Sequence, residues 1–174
     1  MASGPENCPT LFGATSNGLA SGNTLEEATL HALFEIIERD AISMNKARDE
    51  SQWVDCEDLP EPFGGLATAW RDLGIELAVR HVPNPFELPC FEAFLYEQGS
   101  TSVNLAEGSG AHFDRGIALA RAVCEAAQSR LTQIHGGRED VTGFFAKYTE
   151  WSPAKRADLE ETALRQMFDK SRSA

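Results

Sequence analysis

The stretch from Asn23 to Ala47 constrains the fold more than any other part of the sequence. Asn23 and Thr24 are residue types that cap helices, and from Leu25 to Ala47 no proline or glycine interrupts the run. The segment therefore predicts a long helix, roughly Leu25 to Ala47. At about 100° per residue, Glu27 and Glu38 come almost into line, with His31 and Glu35 about 40° to 80° away. Leu25, Leu30, Leu33, Ile36, Ile37 and Met44 fall on the other side. The expectation is a helix whose apolar side faces the core and whose opposite side is a row of carboxylates.

What can cover that helix follows from the rest of the chain. Phe12 to Gly22 is small and glycine-dotted and reads as a short strand or extended turn. Asp49 to Gly65 holds Pro60, Pro62, Gly64 and Gly65 and reads as an acidic surface connection, followed by a short helix around Leu66 to Leu73 that ends at Gly74. Three runs rich in β-branched and aromatic residues predict strands at Ile75 to Val82, Cys90 to Glu97 and Ser102 to Glu107. After Gly108-Ser109-Gly110 an alanine-rich helix is expected over Asp114 to Ile134, ending at Gly136-Gly137. A last amphipathic segment starts at Ser152-Pro153 and runs to about Asp169. The sum is an α/β fold of the α+β type, a mixed β-sheet packed with long helices. Residues 1–14 read as an extension, 15–148 as the domain and 149–174 as a helical tail. At 174 residues, 42% of them hydrophobic, the chain suffices for one domain with a core.

A net charge of −12 argues against a nucleic-acid or anionic-membrane surface, either of which needs a dominant positive field. No apolar run reaches membrane-spanning length, and Met1 to Cys8 does not have the form of a signal peptide, so the cytoplasm is the expected location. Cys8, Cys56, Cys90 and Cys124 are scattered, without zinc spacing, and are expected to be free thiols.

Two features point to chemistry. Three glutamates on one helix face, with Arg39 the only nearby cation, repel one another, and a bound cation relieves that repulsion; magnesium suits hard oxygen ligands and bridges carboxylates to phosphates. Periodicity alone equally allows an acidic face turned to solvent, the commoner case. Just before the helix, Ser16-Asn17-Gly18-Leu19-Ala20-Ser21-Gly22 offers small residues and hydroxyls where unpaired amides and the helix dipole favour anions. It lacks the lysine and glycine spacing of a Walker A loop, and a plain turn and cap is the alternative.

Taken together as Ser-Asn-Gly-Leu-Ala-x-Gly-Asn-Thr-x-x-Glu-Ala-x-x-x-Ala-Leu-x-Glu-x-x-Glu-Arg, residues 16–39 resemble the signature of the YcaO family. A second block, from Glu107-Gly108-Ser109-Gly110 through Arg121-Ala122-Val123-Cys124-Glu125-Ala126-Ala127-Gln128-Ser129-Arg130 to Asp140, is similar to that family's later glycine turn and alanine-rich helix. The resemblance covers about Thr15 to Asp140 and matches the carboxy-terminal half of the family domain. It implies ATP and Mg2+ as cofactors, Asn23 and Glu27 as nucleotide contacts, and Glu35 and Glu38 as metal ligands. Arg39 would orient carboxylates or approach phosphate, and Arg121 would be a second phosphate-side cation. Gln128 and Arg130 are weaker nucleotide candidates, equally readable as a polar helix face.

The resemblance also implies the activity: ATP-dependent activation of a peptide backbone amide, giving an azoline with a Cys, Ser or Thr side chain or a thioamide with sulfide. The family's earlier half supplies another serine, a glutamate pair and a lysine, and the fourteen residues before Thr15 do not contain them. A partner is therefore expected: a separate amino-terminal half or a TfuA-like accessory protein, besides the peptide or protein substrate, with a homo-oligomer as another way of covering exposed apolar surface. The competing expectation is a non-catalytic remnant that binds peptide or protein. His31 reads as a histidine bonded to a neighbour, His81, His112 and His135 form no metal spacing, and Trp53, Trp70 and Trp151 read as packing residues.

Overall fold

The computed structural model describes residues 15–48, 50–97, 105–135, 151–155, 158 and 161–162. The long helix is α1, Leu25–Arg48. There follow a short strand β1, Gln52–Val54, a 3-10 turn at Cys56–Asp58, and helix α2, Phe63–Arg71. Strands β2, Ile75–His81, β3, Cys90–Glu97, and β4, Ala106–Ala111, lead to helix α3, Arg115–His135. The four strands lie in the order β1-β2-β3-β4, and every neighbouring pair is antiparallel. The fold class is the α+β one expected, and among the described strands the sheet is antiparallel rather than mixed. Hairpin-length connections between β2, β3 and β4 account for this, since a parallel pair needs a long crossover.

Alternation along the strands separates two cores. Leu77, Val79, Phe91, Ala93 and Leu95 point to one face, where they meet Ala67 of α2 and Ala118, Leu119, Ala122, Val123 and Ala126 of α3. Cys90 and Ala111 point to the other, where with Val82 and Leu88 they meet Phe34 and Ala41 of α1. On this second face the buried Glu92 is paired with Arg80 at 2.7 Å, and the Arg80 guanidinium lies over Trp53 and Phe94. The molecule is thus α1, sheet, then α2 with α3.

Gly108-Ser109-Gly110 is the middle of β4, not a turn. A Cβ on Gly108 would lie 2.1 Å from the Ala126 amide nitrogen, and one on Gly110 would lie 2.2 Å from the Ala118 carbonyl oxygen. The glycines let α3 cross directly over the edge strand on a stripe of fully buried Ala118, Ala122 and Ala126. The strand expected at Ser102 to Glu107 accordingly starts later, and residues 102–104 lie outside the described residues. β1 falls inside the interval read as a loop; its three residues are too few for a sequence pattern, and Trp53 is held by the ring of Phe94 at 6.0 Å.

The orientation of α1 differs from the expectation. Its buried residues are Phe34, Glu38, Ala41 and Asn45, whereas Leu33 and Ile36 are 49% and 48% exposed. Leu25, Leu30 and Met44 are also exposed. The sheet takes the side bearing one carboxylate, because Ala111 and Cys90 are small enough there for Phe34 and Ala41 to seat against them. The richer apolar side has no layer over it among the described residues.

The segment expected from Ser152-Pro153 is helical at 153–155, with Ser152 Oγ accepting from the Lys155 amide at 3.3 Å. Most of its remainder lies outside the described residues, as do Cys8, Phe12 and the Gly136-Gly137 stop. No helix among the described residues is long and apolar enough to cross a membrane.

Candidate functional site

The entrance to α1 is a capping arrangement. Thr24 Oγ1 accepts from the Glu27 amide at 3.2 Å, and Glu27 Oε2 accepts from the backbone and side-chain nitrogens of Asn23 at 2.7 and 3.0 Å. The Asn23 backbone N–H, with its side chain adding, holds the Glu27 carboxyl below its ordinary range. Asn23 and Glu27 are therefore bonded to each other at the helix start.

One turn onward α1 opens into a cleft of about 570 Å³. The loop residues Leu19, Ala20 and Ser21 form one wall, His31, Glu35, Glu38 and Arg39 of α1 the next, Ser109 of β4 the floor, and Arg121, Cys124, Glu125 and Gln128 of α3 the far side. The loop is tied to α1 at two points. Gly18, at φ +79° in a turn closed by Leu19 N–H to Ser16 O at 2.9 Å, donates its N–H to Glu35 Oε2 at 3.2 Å. His31 Nδ1 lies 3.2 Å from Ser21 O, a bond made with the proton on Nδ1.

At the floor, Ser109 Oγ donates to Glu38 Oε1 at 2.7 Å, while the Ser109 N–H donates to Glu125 Oε2 at 2.9 Å. Burial pushes the Glu38 carboxyl above its ordinary pKa; the Ser109 bond opposes this, the Glu125 charge adds to it, and Arg39 and Arg121 oppose it. The neighbouring Cys90 thiol is pushed up to about 12, by burial first and then by Glu38 and Glu92, so it is no nucleophile. Arg121 Nη1 donates to Ala111 O at 3.4 Å, which holds its guanidinium at the end of β4. Cys56, Cys90 and Cys124 are free thiols, as expected.

Of the residues singled out from sequence, the fold brings Glu35, Glu38, Arg39, Arg121 and Gln128 into one cleft. Arg130 lies elsewhere, ion-paired with Glu97 at the end of β3. Two members were not singled out: Glu125, which shares a helix face with Arg121 and Gln128 through spacings of four and three, and Ser109, hidden between glycines. No three His, Cys, Asp or Glu side chains among the described residues converge on a single metal position. The donor set nevertheless fits magnesium carried with phosphate, which takes one or two carboxylates and leaves its other positions to phosphate and water. The two guanidiniums suit the phosphate oxygens.

Comparison with known proteins places the chain in one family. The model of the YcaO cyclodehydratase family, described as ATP- and Mg2+-binding, matches residues 1–173. An uncharacterised protein of Methanothermobacter thermautotrophicus is 40% identical over 140 residues, covering 79% of this chain and 37% of the relative. A protein encoded in the tfuA 3' region of Rhizobium leguminosarum bv. trifolii is 33% identical over 145 residues, covering 77% of this chain and 34% of the relative. Among solved structures, the heterocyclase TruD is 32% identical with a TM-score of 0.63, covering 68% of this chain and 17% of that one. YcaO from Methanopyrus kandleri, bound with AMPPCP and Mg2+, shares the fold at a TM-score of 0.64 and 22% identity, covering 76% of this chain and 36% of that one. The chain spans about a third of the length of the curated relatives it matches, and it belongs to the YcaO family.

Proposed function

We propose that this chain carries the magnesium- and nucleotide-facing wall of an enzyme that uses ATP to activate peptide backbone amides. The observation that carries the reading is the cleft in which Glu35 and Glu38 of α1 face Arg121, Glu125 and Gln128 of α3, with Arg39 beside them. Glu35 and Glu38 would hold magnesium, and Arg39 and Arg121 would hold phosphate oxygens. Bound there, ATP with Mg2+ supplies the phosphoryl group that makes the amide oxygen a leaving group. The residues of the chain would contribute fixed charge: the guanidiniums of Arg39 and Arg121, which line the cleft with Glu35 and Glu38, would meet the negative charge that grows on the phosphoryl group. No side chain needs to act as a covalent nucleophile. Asn23 and Glu27, bonded to each other, would contribute by fixing the start of α1 and the loop that precedes it.

The reading includes a second polypeptide part. The relatives are about three times as long as the matched region, and α1 leaves Leu30, Leu33, Ile36 and Met44 partly exposed, with Gly18 of the preceding loop against Ile36. The rest of a family-length domain, in the same or a separate chain, fits that surface and would complete the nucleotide site. The encoding of one relative beside tfuA supports an accessory protein of that kind.

Calorimetric titration with ATP and Mg2+ tests this, with a Glu35→Ala, Glu38→Ala variant alongside. Saturable binding that requires magnesium and is lost in the variant is expected. A folded chain that binds no nucleotide would mean that the rest of the domain is essential to the site and that this chain alone is not an enzyme.

A further inference from the structure

We propose that Ser109 is the positioning residue that pairs Glu38 with Glu125 and turns the remaining oxygen of each carboxylate towards the cleft. The proposal rests on the magnesium and nucleotide reading above and names how its carboxylates are held. The place of Ser109 is fixed by the backbone. Gly108 and Gly110, on the α3 side of β4, have no Cβ because the backbone of α3 occupies that space. Successive strand residues point to opposite faces, so the Ser109 hydroxyl emerges on the α1 side, where Glu38 is buried. The Ser109 N–H, on the last strand of the sheet among the described residues, meets Glu125 from α3. One residue thus touches a carboxylate from each of the two helices.

A serine hydroxyl carries one proton. At 2.7 Å it goes to Glu38 Oε1, while the contact to Glu125 Oε2 is longer, 3.3 Å, and that oxygen is held by the Ser109 N–H. Each carboxylate therefore has one oxygen committed to Ser109. Carboxylates that ligate metals are commonly fixed by such outer hydrogen bonds, and their loss costs about 10–100-fold in metal affinity. Alanine would keep the backbone bond to Glu125 and remove the hydroxyl that orients Glu38.

The test is Mn2+ binding to the full chain with AMPPCP present, read by electron paramagnetic resonance, for wild type, Ser109→Ala and Ser109→Thr. The expected result is Mn2+ affinity weaker by about 10–100-fold in the alanine variant and recovered in the threonine variant, with circular dichroism unchanged. Equal affinity in wild type and Ser109→Ala overturns the proposal and leaves the magnesium reading standing. Equal weakening in both variants also overturns it, since the hydroxyl would then not be the active feature. A wild-type chain that binds no Mn2+ overturns the underlying reading and the proposal together. Should Ser109→Ala not fold, Ser109→Cys, which keeps the volume with a weaker donor, carries the same comparison.

Discussion

The two long helices sit on opposite faces of one sheet and are finished to different degrees. α3 crosses β4 so closely that the strand has glycine at both crossing points, and its alanine stripe is fully buried. α1 buries Phe34, Glu38, Ala41 and Asn45 on one side and leaves Leu33, Ile36 and Met44 partly open on the other. The contact of α3 with β4 is closed within this chain, although Ile117, Leu131 and Ile134 elsewhere on α3 are exposed. α1 has the proposed site along one flank and, on the side turned from the sheet, a partly exposed apolar surface of the kind that ordinarily lies under another layer.

The sharpest way to break the comparison is at the α3 crossing. Gly110→Val would drive a branched side chain into the Ala118 carbonyl, which is backbone and cannot rotate away. The expected loss is about 3 kcal/mol or more, visible as a collapse of the thermal midpoint in circular dichroism. A valine variant that melts like wild type would mean that α3 rides loosely on β4, and the contrast with α1 would disappear.

A smaller effect is expected at Glu38, where fold and function pull apart. Its folded pKa is raised, so the native state favours the protonated form. Stability tied to that form is present at low pH and is lost as pH rises through the ordinary carboxylate value towards the raised one, since over that window the native chain binds more protons than the unfolded chain. Glu38→Gln stays neutral throughout. Its melting temperature should match wild type near pH 4 and exceed it near neutrality, while the magnesium affinity proposed for this carboxylate should be lost. A difference that does not change with pH would remove the claim that Glu38 is held charged at an energetic cost for its ligand.

These residues also show what the sequence can and cannot convey. The strand Cys90–Glu97 is legible to the residue, because its composition suits a sheet buried on both faces. The glycines of β4, a turn by the family resemblance, lie in a strand, since a glycine that makes room for a crossing helix and one that permits a bend are alike until the helix is in place. The neighbourhood of Glu35, Glu38 and Arg39 is readable because spacing reports a shared helix face, whereas Arg121, on another helix, followed only from the family resemblance. Ser109 was not, because its role comes from edge-strand geometry and from two helices far apart in sequence. The direction of α1 failed for a related reason: an amphipathic pattern shows which side is apolar, and the expectation assumed that this side packs on the sheet of the same chain.

The smallest expected effect tests that last point most directly. Leu33→Lys changes an apolar residue to a charged one in the middle of α1, where helix propensity is little altered. With Leu33 half exposed, stability of the isolated chain should move by no more than about 0.5 kcal/mol, the range of ordinary surface substitutions, and circular dichroism melts would measure it. The same change should abolish assembly with whatever completes the family-length domain, because a lysine would then have to be buried without a partner. A melt as damaged as that of Gly110→Val would show that Leu33 is already covered within this chain. The open side of α1 would then be no surface at all, and the case for a completing polypeptide would rest on length alone.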